Sequence, residues 1–214
     1  MLYVCLSAEG VENALRQLGD EKCAELRVDL VKPSMDEMVK LVSKKDFSFI
    51  VTCRPGVFDE ETSLKYLATA AKHGADYIDI EIERGAEVAS RMKAACEGSG
   101  CKLIISYHNF ECTPSFEELR KVIMECRGRG ADIVKIACKV NSTADNSTLM
   151  SLYGEGEGIV AFGMGTLGQV SRLASLGCGA KFTYVASDFG DGTAPGQLTV
   201  SQMRRYVNEL GIKL

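Results

Sequence analysis

The stretch Tyr77-Ile78-Asp79-Ile80-Glu81-Ile82 decides how the chain folds. In a strand, successive side chains point to opposite faces, so the three isoleucines share one face and the two acids share the other. A surface antiparallel sheet alternates in this way too, with its polar face in water. The flanking sequence separates the two cases. Glu60–Lys72 before the stretch and Gly85–Glu97 after it both carry helical spacing. A strand between helices belongs to a parallel, helix-covered sheet, which turns the isoleucines toward the helices and Asp79 and Glu81 toward the interior.

Working outward, the same unit recurs. Apolar, β-branched-rich strand segments are expected at Leu2–Ser7, Ala24–Leu30, Phe47–Arg54, Tyr77–Ile82, Lys102–His108, Ile133–Ala137, Ile159–Phe162 and Phe182–Ala186. Their starts are 22 to 31 residues apart, the length of a strand, a helix and two short loops. Helical segments are expected at Glu9–Leu18, Ser34–Ser43, Glu60–Lys72, Gly85–Glu97, Ser115–Arg127, Ser142–Leu152, Thr166–Leu176 and Ser201–Leu210. Thr113-Pro114-Ser115 followed by Glu118 has the form of a helix start. Lys72-His73-Gly74 and Arg129-Gly130 have the form of helix ends, which makes His73 a last-turn residue with no chemistry. Eight strand-helix units without a linker imply one (β/α)8 barrel over residues 1–214. An open dinucleotide-binding sheet would carry a glycine fingerprint after its first strand, where this chain has Ala8-Glu9-Gly10-Val11.

The bulk properties fit one soluble domain. The chain has 214 residues, 46% hydrophobic and 25% charged, with a mean hydropathy of zero. A net charge of −4 and the lack of a basic run argue against nucleic acid as a partner. No apolar run approaches a membrane span, and Met1-Leu-Tyr-Val-Cys reads as a first strand, so a cytoplasmic protein is expected. The nine cysteines include no C-x-x-C pair, and they are expected to be reduced and structural.

Alternation assigns faces on the other strands as well. Glu25, Arg27 and Asp29 are expected to point inward, as are Thr52 with Arg54, Ser106 with His108, and Lys135. Barrel interiors are normally filled with branched apolar side chains, so polar groups from five strands point to function. Lys135 lies between Val134 and Ile136, and a lysine sheltered from water is suited to attack a carbonyl as the neutral amine. His108 is suited to move protons, since its unperturbed pKa is near neutrality. The cations among inward carboxylates suggest an anionic, hydroxylated substrate. In the last third, Phe162-Gly-Met-Gly-Thr-Leu-Gly-Gln-Val-Ser-Arg172 opens a helix with a glycine-rich loop suited to a carboxylate or a phosphate. Gly190-Asp-Gly-Thr-Ala-Pro-Gly-Gln197 reads as a mobile loop that closes over the site.

These residues also form a family pattern. Glu25-Leu-Arg27-Val-Asp29, Thr52-Cys-Arg54, Tyr77-Ile-Asp-Ile-Glu81, Ser106-Tyr-His108-Asn-Phe, Val134-Lys135-Ile-Ala, Gly168-Gln-Val-Ser-Arg172 and Ala194-Pro-Gly-Gln197 stand in family order from the second strand to the last loop. On them the chain resembles type I 3-dehydroquinate dehydratase, a Schiff-base-forming lyase family of the shikimate pathway, which leads to the aromatic amino acids. The resemblance implies that Lys135 forms the imine with the ketone of 3-dehydroquinate and that His108 is the general acid/base. It implies that Arg172 and Gln197 hold the substrate carboxylate, and that Glu25, Arg27 and Arg54 bind its hydroxyls and order the site. Thr193 stands where the family usually has serine, and Met164 matches a pocket-lining methionine. Metal and organic cofactors are not expected, and a homodimer is. One position departs: relatives carry a glutamate four residues after the arginine matched by Arg54, to orient the histidine, and here that place is Phe58. Asp59 or Glu60 is expected to substitute. A sugar-phosphate aldolase using a lysine imine, or a silent barrel that only binds a metabolite or a protein, are the competing readings.

Overall fold

The computed structural model describes residues 1–190 and 192–212. Its strands are β1 (Leu2–Leu6), β2 (Cys23–Arg27), β3 (Ser48–Thr52), β4 (Tyr77–Glu81), β5 (Lys102–Asn109), β6 (Ile133–Lys139), β7 (Ile159–Met164) and β8 (Thr183–Val185). All pairings are parallel, in the order β7-β6-β5-β4-β3-β2-β1-β8. The two strands at the ends of that order meet through the rings of Phe162 and Tyr184, whose centroids are 5.9 Å apart, and the barrel is nearly closed. The helices are α1 (Val11–Leu18), α2 (Val28–Val31), α3 (Met35–Val42), α4 (Glu60–Lys72), α5 (Gly85–Cys96), α6 (Phe116–Gly128), α7 (Thr143–Ser151), α8 (Gln169–Gly177) and α9 (Val200–Glu209). This is the (β/α)8 barrel that the repeat implies.

The outward residues of the strands, among them Leu26, Val51, Ile78, Ile80, Leu103, Ile105, Val134 and Ile136, pack against the helices in one continuous core. Each such side chain, buried completely, contributes roughly 1.5–3 kcal/mol. Inside the barrel the amino-terminal half is also apolar. Tyr3, Tyr77 and Phe182 meet edge to face at 5.1 to 6.3 Å, with Ile50, Ile104, Ile133 and Val160 around them. The polar layer expected from the sequence therefore fills only the carboxyl-terminal half, above an apolar floor.

Helix starts follow the local rules. Ser115 caps α6, its hydroxyl accepting from the Glu118 N–H while the Glu118 carboxylate accepts from the Ser115 N–H at 2.9 Å, and Ser34 with Glu37 does the same for α3. One boundary moves. The strand expected to reach Leu30 ends at Arg27, and Val28–Val31 forms a single helical turn closed by Lys32 in the left-handed region. Asp29 gains a stronger arrangement from the turn: its carboxylate takes Arg27 at 2.6 and 3.0 Å and accepts from the Arg54 N–H at 3.3 Å. His73 caps the end of α4, its Nδ1 on the Thr69 carbonyl at 2.8 Å. The cysteines are free. Among the described residues no helix is long and apolar enough to cross a membrane, and no cluster of three metal-ligating side chains occurs.

Candidate active site

A cavity of about 490 Å³ opens at the carboxyl ends of the strands. Glu25, Arg27, Arg54, His108, Lys135, Arg172, Thr193 and Gln197 all line it, so the residues singled out from the sequence share one space. Lys135 is at its base, 5% exposed. The strand register puts Glu81, Ser106 and Lys135 side by side across β4, β5 and β6, with Asp79 one inward step below Glu81. Lys135 Nζ lies 3.0 Å from Asp79 Oδ2, 3.9 Å from Glu25 Oε1 and 4.1 Å from the centre of the Tyr184 ring.

Asp79 is the hub of this layer. Ser106 Oγ donates to it at 2.6 Å and the Arg54 guanidinium approaches it at 3.3 Å. Arg54 also pairs with Glu81 at 2.9 Å, and Thr52 Oγ1 donates to Glu25 at 2.9 Å. Burial alone pushes the Asp79 carboxyl up, but Arg54 first and Lys135 next outweigh it and hold the group well below the usual carboxylate range. Asp79 is therefore a fixed negative charge and a poor base. His108 moves the other way for a different reason. Burial first, then the charges of Arg54 and Lys135, bring it well below its ordinary value, with Asp79 opposing. At neutral pH it is a neutral imidazole able to accept a proton. Its ring lies parallel to Phe110 at 6.1 Å.

Arg172 differs from the other cations of the site. Arg27, Arg54 and Lys135 each have carboxylate partners, whereas Arg172 is 1% exposed and its Nε and Nη2 have no hydrogen-bond partner among the described residues. Its charge rests over the Phe162 ring at 4.4 Å, and burial brings its pKa down to about 10. A buried cation with no counter-ion among the described residues is costly by itself and gives the cavity a place for an anion.

The glycine-rich segment proves to be a packing device. A side chain at Gly163 would run into Val140 and Gly168, and one at Gly196, whose φ is 75°, would run into Gly165. Ser171 Oγ accepts from the Gly163 N–H at 2.7 Å and donates to the Gly168 carbonyl at 2.6 Å, which fixes the start of α8 and hence Arg172. The loop from Asp188 to Gln197 docks through Gly165 N–H to the Pro195 carbonyl at 3.0 Å, and Asp191 lies outside the described residues.

The expectation for Asp59 and Glu60 is not met. Asp59 is the cap of α4, accepting from the Thr62 N–H at 2.8 Å and its hydroxyl at 2.7 Å, and Glu60 is exposed in the first turn. A carboxylate that satisfies the free amides of a helix start is committed there, and neither residue lines the cavity. Phe58 packs against Tyr66, ring centres 5.4 Å apart. The rim carboxylates come from β4 and the turn after it: Glu81, held by Arg54 and Arg84, and Glu83, which has no ion pair among the described residues. Glu83 continues the two-residue spacing of Asp79 and Glu81 past the strand end, a signal legible in the sequence. Cys5 and Tyr184 also line the cavity; each is inward on its strand, but neither residue type stands out there from ordinary core.

Comparison with known proteins agrees with this arrangement. The family model for type I 3-dehydroquinase matches residues 2–213. A 3-dehydroquinate dehydratase of Desulfotalea psychrophila is 35% identical over 92% of this chain and 90% of its own length. That of Pyrococcus abyssi is 31% identical over 99% of both. The crystal structure of the 3-dehydroquinate dehydratase from Aquifex aeolicus superposes with a TM-score of 0.84 at 27% identity, covering 98% of each chain. The chain thus belongs to the type I 3-dehydroquinase family.

Proposed function

We propose that this protein dehydrates 3-dehydroquinate to 3-dehydroshikimate and water through an imine on Lys135. The observation that carries the reading is the placing of Lys135, buried against Asp79 at 3.0 Å, in one cavity with a neutral His108 and the unpaired Arg172. The substrate is an anion with a ring ketone, a β-hydroxyl and further hydroxyls. Arg172 receives its carboxylate, Gln197 and Thr193 close from the last loop, and Glu25, Arg27 and Arg54 meet the hydroxyls.

Lys135 adds to the ketone as the amine, and the proton it sheds as ammonium leaves with the ketone oxygen as water; this gives the protonated imine, whose charge Asp79 and the Tyr184 face balance. The positive nitrogen draws electrons from the adjacent carbon, and His108 takes its proton to give the enamine. The electron pair then returns to expel the β-hydroxyl, which His108 protonates as it leaves as water. A second water hydrolyses the imine and restores the lysine. The nitrogen is the electron sink, so the sequence of steps calls for no metal or organic cofactor.

The test is borohydride reduction in the presence of 3-dehydroquinate. The expected result is a mass adduct on the peptide carrying Lys135, absent in Lys135→Ala. A protein that turns over substrate with no adduct at Lys135 refutes the imine.

A further inference from the structure

Cys5 lines the cavity and takes no part in the steps above. It lies in β1 beside Glu25 of β2 and is 2% exposed. Three polar groups converge on its sulfur. Gln197 donates its Nε2–H to Sγ at 3.0 Å, and Thr193 and the Glu25 carboxylate are the other neighbours. The sense of the Gln197 amide is fixed by its other end. Its Oε1 accepts from the Thr193 backbone N–H at 2.8 Å, and an N–H can only donate, so the NH2 end faces the sulfur.

The thiol is a bridge and a poor nucleophile. Burial first, then the Glu25 charge, holds its pKa far above the ordinary value, so the proton stays on. A neutral thiol accepts from Gln197 with a lone pair, beside the Glu25 carboxylate of the neighbouring strand. The backbone of the last loop is tied elsewhere, through Gly165 to Pro195 at 3.0 Å and Ala186 to Leu198 at 2.8 Å. Those bonds place the loop, and the Thr193 N–H holds the Oε1 end of the Gln197 amide within it at 2.8 Å, which leaves the NH2 end to be tied to the barrel. Among the described residues, Cys5 is the strand residue that holds this end.

We propose that Cys5 is a positioning residue for substrate binding, its sulfur holding the Gln197 amide over the cavity and joining the last loop to the Glu25 side of the barrel. The inference rests on the reading that Gln197 grips the substrate carboxylate. It places the effect of Cys5 on affinity and not on the chemical step, because Lys135, Asp79 and His108 are held by other strands. A cysteine that merely fills space would affect stability and leave affinity alone.

Steady-state kinetics with 3-dehydroquinate separate the two. Cys5→Val keeps the bulk and removes the acceptor; KM should rise about tenfold for one orphaned amide donor, with kcat within about twofold. Cys5→Ser, which keeps an acceptor and a proton, should stay near the parent. Gln197→Ala should raise KM to a similar degree, and adding Cys5→Val to it should do little more, since the two act as one unit. Cys5→Ala serves the same comparison if valine crowds the barrel and the thermal midpoint collapses. Unchanged KM in folded Cys5→Val and Cys5→Ala beside a raised KM in Gln197→Ala overturns the role of Cys5 alone, as do fully additive effects. Unchanged KM in Gln197→Ala overturns the reading of Gln197, and the inference with it.

Discussion

Replacing Arg172 by methionine should weaken substrate binding and strengthen the fold at the same time. The side chain is 1% exposed, with two nitrogens lacking partners among the described residues, and burial brings it from its ordinary value down to about 10. Converted at about 1.4 kcal/mol per tenfold change in proton affinity, holding that charge costs the folded state roughly 3 kcal/mol. At pH 7 the group is charged in both the folded and unfolded chain, so the whole cost is present; it fades only as pH rises through about 10, where stability should climb. The Phe162 face returns about 1–2 kcal/mol of it. Methionine has similar reach, no charge, and packs against the same ring. A net gain of about 1–2 kcal/mol is expected in urea unfolding, or about 2–8 °C in thermal midpoint for a chain of this size. In kinetics, losing charge-assisted hydrogen bonds to a carboxylate should raise KM by about ten- to a hundredfold. A methionine variant less stable than the parent by more than 1 kcal/mol would show that the guanidinium has a partner in the fold, and an unchanged KM would show that it does not meet the substrate. Either result refutes the argument from the unpaired cation.

Two further outcomes follow from the site. His108 is held well below 6.5, chiefly by burial and next by Arg54, so kcat/KM should stay level from pH 8 to 6.5 and its acid limb should lie lower. The unfolded chain takes up this proton first, so stability should also fall as pH drops below 6.5; a stability that rises on that descent refutes the assignment. Asp59→Asn and Glu60→Gln should leave turnover unchanged, because Asn can cap α4 as Asp does and Glu60 faces water. A loss of turnover in either, with the thermal midpoint retained, would return one of them to the histidine.

Much of the site was legible from one local property. The period of two in a strand is set by backbone geometry, so Glu25, Arg27, Asp79, Glu81, Ser106, His108 and Lys135 could be turned inward before any strand was paired. The same property sends the charge-bearing face to the interior once helices cover the other side. Capping was local too, and Ser115 with Glu118 behaves as its spacing predicts. The acidic partner sought near Phe58 failed because its neighbourhood obeys a competing local rule: Asp59 is better placed to start α4 than to reach across the barrel.

The sequence by itself thus determined the eight-unit barrel, the inward set of polar residues and, through the family pattern, the chemistry to look for. Tertiary structure alone decided how those residues pair. Asp79 becomes the hub because Arg54 and Lys135 reach it from strands 25 and 56 residues away in the chain. Among the described residues the Arg172 Nε and Nη2 are left without a partner, and Cys5 meets Gln197 across 192 residues. Pairing of this kind depends on the rotation and reach of side chains brought together by barrel closure. Alternation along a strand carries no information about that, because it fixes which way a side chain points and not what it finds there.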